Sequence, residues 1–279
     1  MSAVRRSKAG KFGLAIATIA IFIFVMAPMY WLIITSFKTT NGVASSTPQW
    51  WPNPFTLANY IVVFGQYHFG TYIINSVIVS VVATVAVLVF ATFSGYAFAK
   101  MPIRGKMPVL VALLMISVFP GIALIAPLYL LMRSLDWLNS YQALIIPYTA
   151  LNLPFAIWIL RNYFLGVPDE IEESARIDGA GPTRALFTVV LPMALPGLFT
   201  AGVFAFTACW TEFLMALSFN SQSNFRTIPV GAALFNTPFV TPYGLIFAGA
   251  TVAIVPIAIL VFVFRKAVVS GLTSGAIKG

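Results

Sequence analysis

The chain has 279 residues, of which 60% are hydrophobic and only 8% are charged, and its mean hydropathy is +0.94. A water-soluble core cannot bury so much apolar surface, so lipid must be the solvent for most of the chain. The formal net charge is +9. The basic residues are scattered between apolar stretches instead of forming one stripe, which argues against nucleic-acid binding. The single cysteine, Cys209, excludes an internal disulfide and a cysteine-cluster metal site.

Six apolar stretches are long enough to cross about 30 Å of hydrocarbon as helices. They lie at residues 14–36, 73–98, 108–132, 141–161, 196–219 and 244–264. The sequence therefore predicts an all-α polytopic membrane protein with six transmembrane helices. The first stretch follows a basic segment, as in a signal peptide, but its apolar run is too long and no small-residue cleavage site follows. We therefore expect an uncleaved membrane anchor.

The distribution of basic residues predicts the orientation of the spans. With both termini inside, thirteen of the sixteen Lys and Arg residues fall on the inner side, and only Lys38, Arg133 and Arg226 fall outside. This asymmetry predicts a multi-pass protein with both termini in the cytoplasm.

Prolines interrupt several of the predicted spans, and each one removes a backbone hydrogen bond and bends its helix. Pro120 with Gly121, and the segment 147–154 with a proline at each end, indicate either broken helices around a pathway or ordinary kinks. Small residues also recur at four-residue spacing, which predicts close helix packing. They are Ala91, Gly95 and Ala99, and Ala201, Ala205 and Cys209.

One acidic residue, Glu212, lies deep in a predicted span. A charge at the centre of a bilayer costs roughly 2.5–3.5 kcal/mol on insertion scales, so its side chain should face protein or water. We interpret Glu212, with Asn152 and Thr211, as candidate residues of a substrate pathway. A structural hydrogen bond between helices is the alternative.

The other acidic residues are concentrated in one predicted inner loop. Five of the seven acids fall within residues 169–178. Asp169 follows a proline and precedes Glu172 by three residues, which predicts a capping box at the start of a short helix. That helix should end near Asp178, where Gly179 can adopt the left-handed conformation.

A second short helix is predicted to follow. Pro182 fits its first turn, and its end is expected at Leu191 and Pro192. Its apolar face consists of Ala185, Leu186, Val189 and Val190. The loop is thus predicted to be a short helix, a glycine turn and a second short helix on the inner membrane surface. It is either a docking element or an amphipathic loop without a partner.

The spacing of this loop resembles the EAA loop of ABC importer permeases. The matching positions are Glu173, Ser174, Ala175, Gly179, Val189, Leu191 and Pro192. The fuller pattern, with residues 178–180 and Phe187, resembles the carbohydrate-uptake branch and in particular the second permease of maltose-type importers. Further resemblances at 75–76, 153–161, 210–213 and 271–279 extend over most of the chain.

The resemblance implies a single transmembrane permease domain over residues 1–279, in which 162–195 is the cytoplasmic EAA coupling loop. Such a permease sits in a prokaryotic inner or plasma membrane and forms half of a translocation pathway. Its implied partners are a cytoplasmic ATPase dimer, a homologous second permease and an extracytoplasmic sugar-binding protein. The implied coupling surface is Glu173, Ser174, Ala175, Asp178 and Gly179.

The sequence departs from the family pattern at three positions. Ser174 replaces the usual first alanine and Val189 replaces isoleucine, and both changes are small. Thr211 replaces the usual asparagine beside Glu212, so the family's polar contacts in the fifth span cannot simply be carried over.

The chain itself is expected to bind no cofactor or metal and to catalyse no reaction. Its Gly-Lys pairs at 10–11 and 105–106 are not followed by Ser or Thr, as a phosphate-binding Walker A loop requires. ATP and magnesium are therefore expected on the partner ATPase. The alternative function is a secondary transporter or channel without an ATPase, which would normally place several ionisable residues along its pathway.

Overall fold

The computed structural model describes residues 8–236 and 241–274, with side chains described for 12–236 and 241–265. Within these ranges all regular elements are helical. A π-helical turn spans Leu186–Val190, and a 3₁₀ turn spans Ser223–Phe225. The α-helices are α1 (Lys8–Ser36), α2 (Thr40–Val43), α3 (Ala58–Gly65), α4 (Phe69–Lys100), α5 (Lys106–Val118), α6 (Gly121–Ser134), α7 (Gln142–Phe164), α8 (Asp169–Ile177), α9 (Pro182–Ala185), α10 (Leu191–Met193), α11 (Leu195–Thr211), α12 (Leu214–Phe219), α13 (Ile228–Ala233) and α14 (Tyr243–Ser274).

Four of the predicted spans are continuous helices that are long and apolar enough to cross a membrane. They are Phe12–Ser36, Phe69–Lys100, Gln142–Phe164 and Tyr243–Arg265. Two further pairs of helices meet the same test only as bent pairs, so the described residues contain four spans, or six when each bent pair is counted as one. The predicted all-α membrane architecture is confirmed.

The predicted span 108–132 is not one helix. It consists of α5 and α6, which are bent by 92° relative to each other. Phe119 is extended (φ −65°, ψ 135°), as expected for a residue before proline, and Pro120 cannot donate a backbone hydrogen bond to continue α5. The broken-helix interpretation holds at Pro120.

The broken-helix interpretation fails for the segment 147–154. Helix α7 runs without interruption through Pro147 and Pro154, and both prolines are buried. Phe119 and Pro120, in contrast, are exposed. Packing around α7 therefore keeps its helical path where the exposed segment at Pro120 turns away.

The predicted span 196–219 is also interrupted. Helix α11 ends at Thr211, Glu212 is extended (φ −66°, ψ 131°), and α12 begins at Leu214. At its other end, α11 is bent by 81° relative to the helical segment Pro182–Met193. Glu212 thus lies at a helix break rather than inside a continuous helix.

The chain forms two compact units, and the first consists of Met1–Phe69 and Ala232–Ile254. Its core is aromatic: Phe69 and Phe235 are fully buried, and their ring centroids are 5.5 Å apart. Asn59 ties α3 to the end of α1 by donating from its side-chain amide to the backbone carbonyls of Ser36 (2.8 Å) and Lys38 (2.9 Å).

The second unit consists of Gly70–Gly231 and Val255–Gly279 and contains the predicted coupling loop. Its helices approach closely where the sequence has small residues. A Cβ atom on Gly95 of α4 would lie 3.1 Å from Leu160 Cβ and 3.2 Å from the Arg161 backbone nitrogen of α7. Ala91 and Ala201 are also buried. The predicted role of both small-residue stripes in packing is confirmed.

The closest approach along α11 predicts a position-specific effect on stability. A Cβ on Gly197 would lie 2.3 Å from Tyr163 Cγ, whereas on Gly202 of the same helix its nearest neighbour would be a methyl group of Leu88 at 3.3 Å. We expect Gly197→Ala to destabilise the protein by about 1–3 kcal/mol through overpacking. Gly202→Ala, the matched control, should be tolerated. Thermal unfolding of both variants in lipid nanodiscs checks this, and equal melting temperatures would contradict the packing.

Candidate functional site

The predicted coupling loop contains a nine-residue helix, α8, that begins at Asp169, the residue predicted to cap it. Pro168 is the residue before its first turn, and no side chain caps that end. The predicted capping box is therefore wrong. Asp169 instead accepts a hydrogen bond from Lys100 Nζ at 2.5 Å. This ammonium holds the pKa of the exposed Asp169 carboxyl below its usual value.

Glu172 is the buried member of the acidic cluster, with only 4% of its surface exposed. Its Oε1 accepts hydrogen bonds from Tyr96 Oη (2.6 Å) and from Arg176 Nη2 (2.7 Å). The Tyr96 hydroxyl and the charge of Glu172 raise the pKa of Arg176. Sequence analysis missed this role. The four-residue spacing of Glu172 and Arg176 predicts their ion pair, but nothing local in the sequence indicates Tyr96.

Helix α8 is thus fastened to the end of α4 at two points. Tyr96 and Lys100 are four residues apart and lie on one face of α4. Tyr96 binds the carboxylate of Glu172, and Lys100 binds both Asp169 and the backbone carbonyl of Val167 (2.6 Å). We call Tyr96, Lys100, Asp169 and Glu172 the α4–α8 junction.

Apolar side chains pack against the junction. Phe164, Val167, Leu186 and Val190 are buried in the same core cluster as Tyr96. The rings of Tyr96 and Phe164 make an edge-to-face contact with centroids 6.3 Å apart. The loop is therefore an integral part of the packed second unit.

The turn after α8 has the predicted left-handed glycine. Gly179 has φ +83°. Its N–H donates to the Arg176 carbonyl (3.0 Å), and the Ala180 N–H donates to the Ala175 carbonyl (2.9 Å). This pair of bonds is a Schellman motif, which satisfies carbonyl groups at the helix end. A Cβ on Gly179 would meet nothing within 4 Å, so only its backbone conformation restricts this position.

The five predicted coupling residues form the outward surface of α8 and its turn. Glu173, Ser174, Asp178 and Gly179 are exposed, and Ala175 is half-buried. Ser174 Oγ donates to the backbone carbonyl of Glu170 at 2.8 Å. In the described part of the chain, the carboxylates of Glu173 and Asp178 have no hydrogen-bond or ion-pair partner. Their charges are therefore available to another molecule.

An apolar side chain lies beside these charges. Ile177, at the last position of α8, is 86% exposed, and Ile171 on the same helix is 39% exposed. Apolar residues next to unpaired charges on a short helix are typical of a surface that another protein covers.

The second predicted helix begins at Pro182 as expected, but it differs from the prediction at its end. The turn Leu186–Val190 is widened to π-helical geometry, and the helical path continues through Pro192 to Met193 instead of ending there. Ala185, Leu186 and Val190 are buried as predicted. A widened turn directly before a proline accommodates its missing N–H.

Glu212 lies at the α11–α12 break and makes three hydrogen bonds. Its Oε2 accepts from Tyr148 Oη of α7 (2.5 Å) and from the Ala216 N–H (3.1 Å), and its Oε1 accepts from the Met215 N–H (2.8 Å). The carboxylate thus satisfies amides at the start of α12, where the helix dipole favours a negative charge. It also links α12 to α7.

The two other predicted pathway residues occupy different environments. Asn152 donates from its side-chain amide to the Tyr148 carbonyl (2.8 Å) and to Cys209 Sγ (3.7 Å), so it belongs to the same polar cluster as Glu212. Thr211 is exposed, and its hydroxyl donates to the Thr207 carbonyl (2.8 Å) of its own helix. Among the described residues, no group of three or more His, Cys, Asp or Glu side chains is placed to hold a metal ion.

Comparisons with a family model and with individual proteins all match this chain to membrane components of transport systems. Residues 88–274 match the family model described as binding-protein-dependent transport system inner membrane component. The chain is 40% identical over 252 residues to a sulfoquinovosyl glycerol transport system permease protein of Agrobacterium fabrum, covering 90% of this chain and 88% of that protein. It is 35% identical over 269 residues to a trehalose/maltose transport system permease protein of Thermococcus litoralis, covering 95% and 96%.

Two further matches extend over nearly the whole chain. A diacetylchitobiose uptake system permease protein of Streptomyces coelicolor is 33% identical over 276 residues, covering 99% of this chain and all of that protein. The fold matches a chain in the crystal structure of a bacterial ABC transporter involved in the import of the acidic polysaccharide alginate. The TM-score is 0.77 at 22% identity, over 95% of this chain and 99% of that chain.

The family model covers the coupling loop and most of the apolar spans, and these relatives align with the chain almost from end to end. The chain belongs to the family of binding-protein-dependent transport system inner membrane components.

Proposed function

We propose that this chain is the membrane-spanning permease subunit of an ATP-driven carbohydrate importer and forms half of its translocation pathway. The names of three relatives at 33–40% identity, all permeases of transport or uptake systems for sugars or sugar derivatives, carry the substrate class.

The coupling mechanism that we propose uses the exposed surface of α8. Glu173, Ser174, Ala175, Asp178 and Gly179 bind a groove of a cytoplasmic ATPase dimer, with Glu173 facing a basic residue of that partner. The unpaired carboxylates and exposed Ile177 support this assignment. ATP and magnesium bind to the partner ATPase, since this chain lacks the Gly-Lys-Ser/Thr sequence of a Walker A loop.

The α4–α8 junction gives this docking surface a connection to the membrane. When the ATPase moves α8, the hydrogen bond from Tyr96 and the ion pair from Lys100 pull on the end of α4, a 32-residue helix that is itself one of the spans. Buried hydrogen-bonded contacts transmit such a displacement better than an exposed ion pair, because breaking them leaves an unpaired buried carboxylate.

The remaining assembly follows the family pattern. We propose a homologous second permease as the other half of the pathway and an extracytoplasmic sugar-binding protein that delivers the substrate. The excess of basic residues on one side of the spans supports a prokaryotic inner or plasma membrane location with both termini and residues 162–195 in the cytoplasm.

We further propose that Glu212 and its neighbours Asn152 and Thr211 border the substrate pathway. Exposed Thr211 lies directly before the break that Glu212 stabilises. The three hydrogen bonds of Glu212 weigh against a mobile proton carrier, and so against the alternative of a proton-coupled secondary transporter.

The glycine turn provides a test of docking with a matched control. Gly179→Val places a β-branched residue at φ +83°, where left-handed backbone costs roughly 1–2 kcal/mol. Gly181→Val places the same side chain two residues on, at φ −67° and with no atom within 4 Å of its Cβ. We expect Gly179→Val to reduce ATPase co-purification and sugar uptake, while Gly181→Val and Gly179→Asn, which tolerates positive φ, retain both.

ATPase co-purification is measured on the complex purified through a tag on this chain. Sugar uptake is measured in the cells from which that complex is purified. Wild-type ATPase binding and uptake in Gly179→Val would contradict the docking role of the α8 turn. A loss of equal size in Gly181→Val would show that bulk at the loop, and not the turn geometry, matters.

Comparing the thermal stability and the uptake kinetics of two variants tests whether Glu212 and Thr211 border the pathway. Glu212→Gln leaves one acceptor oxygen for three donors, so we expect lower thermal stability by about 1–3 kcal/mol and altered uptake. Thr211→Val removes only a hydroxyl bonded within its own helix, so its stability should not change. If Thr211 borders the pathway, the KM for sugar uptake should change in Thr211→Val. Unchanged uptake kinetics in both variants would leave Glu212 a purely structural role.

A further inference from the structure

The first unit contains a cavity of about 240 Å³, with both apolar and polar side chains in its wall, where α1 ends. Trp31 and Thr35 from the last turns of α1, Lys38 just after it, and Gln49 from the following loop line one part of its wall. Tyr243 and Phe247, from the start of α14, line another part. None of these residues belongs to the coupling loop or to the Glu212 cluster.

Lys38 is an unusual residue to find in this wall, because only 2% of its surface is exposed. Its Nζ lies 4.0 Å from the centroid of the Trp31 ring, a cation–π contact that offsets part of the cost of burying a charge. Within the described residues the ammonium group of Lys38 has no ion pair and no hydrogen bond. Burial lowers the pKa of Lys38, the expected response of an ammonium without a counter-ion.

The chain cannot supply a counter-ion from the same unit. All seven acidic residues lie between positions 136 and 212, which belong to the second unit, so the first unit contains no Asp or Glu. Buried charges in proteins are normally paired. The partner of Lys38 must therefore come from outside this unit.

Two other polar groups of the cavity wall are also without partners. Thr35 is 3% exposed, and its Oγ1 has no hydrogen bond; the same is true of the buried Oε1 of Gln49. Buried polar atoms in native proteins are generally satisfied by protein, water or ligand. An ammonium, a hydroxyl and an amide oxygen thus converge on one cavity that has aromatic side chains in its wall.

We propose that this cavity binds a small hydroxylated molecule that carries an oxyanion. The ammonium of Lys38 donates to the carboxylate, sulfonate or phosphate oxygens. Thr35 donates to or accepts from a neighbouring hydroxyl, and Gln49 Oε1 accepts from another. Trp31, Tyr243 and Phe247 contact the apolar edge of the ligand.

The size of the cavity limits the ligand. Its 240 Å³ corresponds to roughly eight water molecules at about 30 Å³ each. One sugar acid of monosaccharide size fits such a volume. The hydroxylated phosphate headgroup of phosphatidylglycerol has the same chemistry, and Lys38 follows the end of the Phe12–Ser36 span by two residues, a position from which a lysine side chain reaches the membrane interface.

Binding to the full chain in nanodiscs tests the proposal and separates the two sources. In phosphatidylcholine discs, calorimetry compares glucuronate with glucose, which has the same ring but no carboxylate. In discs that also contain phosphatidylglycerol, native mass spectrometry counts retained lipid.

Three variants are compared with the wild type in both assays. Lys38→Met removes the charge and keeps the stem over Trp31. Thr35→Val removes the hydroxyl, and Lys106→Met is the control for loss of a lysine elsewhere.

We expect at least one of the two anions to bind wild type and Lys106→Met, and its affinity to fall about tenfold or more in Lys38→Met, the equivalent of one charged hydrogen bond. Thr35→Val should weaken the same ligand by a smaller factor. Glucuronate binding identifies a soluble sugar acid as the source; lipid retention without glucuronate binding identifies the headgroup. Binding that is equal in Lys38→Met and wild type, or the absence of both anions, would overturn the proposal.

The proposal does not rest on the transport role of the chain, because binding is measured at equilibrium without uptake. The melting temperature of Lys38→Met provides an internal check on folding. Removing an unpaired buried charge should not lower it, so lost anion binding in this variant reports on the site.

Discussion

The buried carboxylate of Glu172 is the contact on which the coupling account depends. A carboxylate that is 4% exposed must be hydrogen-bonded to remain charged without a large cost. Tyr96 and Arg176 meet this need, and Tyr96 belongs to a helix other than α8. The geometry therefore ties the position of α8 to the C-terminal end of α4, while the carboxylates of Glu173 and Asp178 have no partner among the described residues. One short helix thus has exposed, unpaired carboxylates on one face, where we propose that the ATPase docks, and a fixed attachment on the other.

The same arrangement recurs at the other end of the second unit. Glu212 accepts from Tyr148 of α7, as Glu172 accepts from Tyr96 of α4, and each carboxylate lies at the start of a short helix. In both places a tyrosine on a long helix binds a short helix. Gly179 ends one of these short helices, α8, and the break at Glu212 precedes the other, α12. Each segment is held by directed hydrogen bonds and side-chain packing instead of continuing the long helix, and we infer that each can shift as a unit. We regard both as movable parts attached to the rigid helices α4 and α7.

Local chemistry made much of the fold predictable from the sequence. The long apolar runs gave four spans, Gly179 gave the turn, and Pro182 gave the next helix start, because each effect acts within a few residues. Effects of tertiary packing were not predictable. Pro120 breaks its helix whereas buried Pro147 and Pro154 do not. Asp169 was expected to cap α8, but Lys100, 69 positions away, binds it instead. Of the candidate site, the exposed face of α8 was expected from the resemblance to the EAA loop, but the α4–α8 junction that holds it was missed. The partner roles of that face remain predictions.

The transport of sugar per ATP hydrolysed, measured for Tyr96→Phe in the assembled transporter, tests the coupling claim most directly. Phenylalanine keeps the ring contact with Phe164 and removes only the hydroxyl that binds Glu172. The docking surface of α8 is unchanged, so the ATPase should still bind and hydrolyse ATP, but less sugar should cross for each ATP. Glu172→Gln should lower the ratio as well, and the double variant should be less impaired than the sum of the two, because both act on one contact. A wild-type ratio in Tyr96→Phe would contradict transmission through the α4–α8 junction.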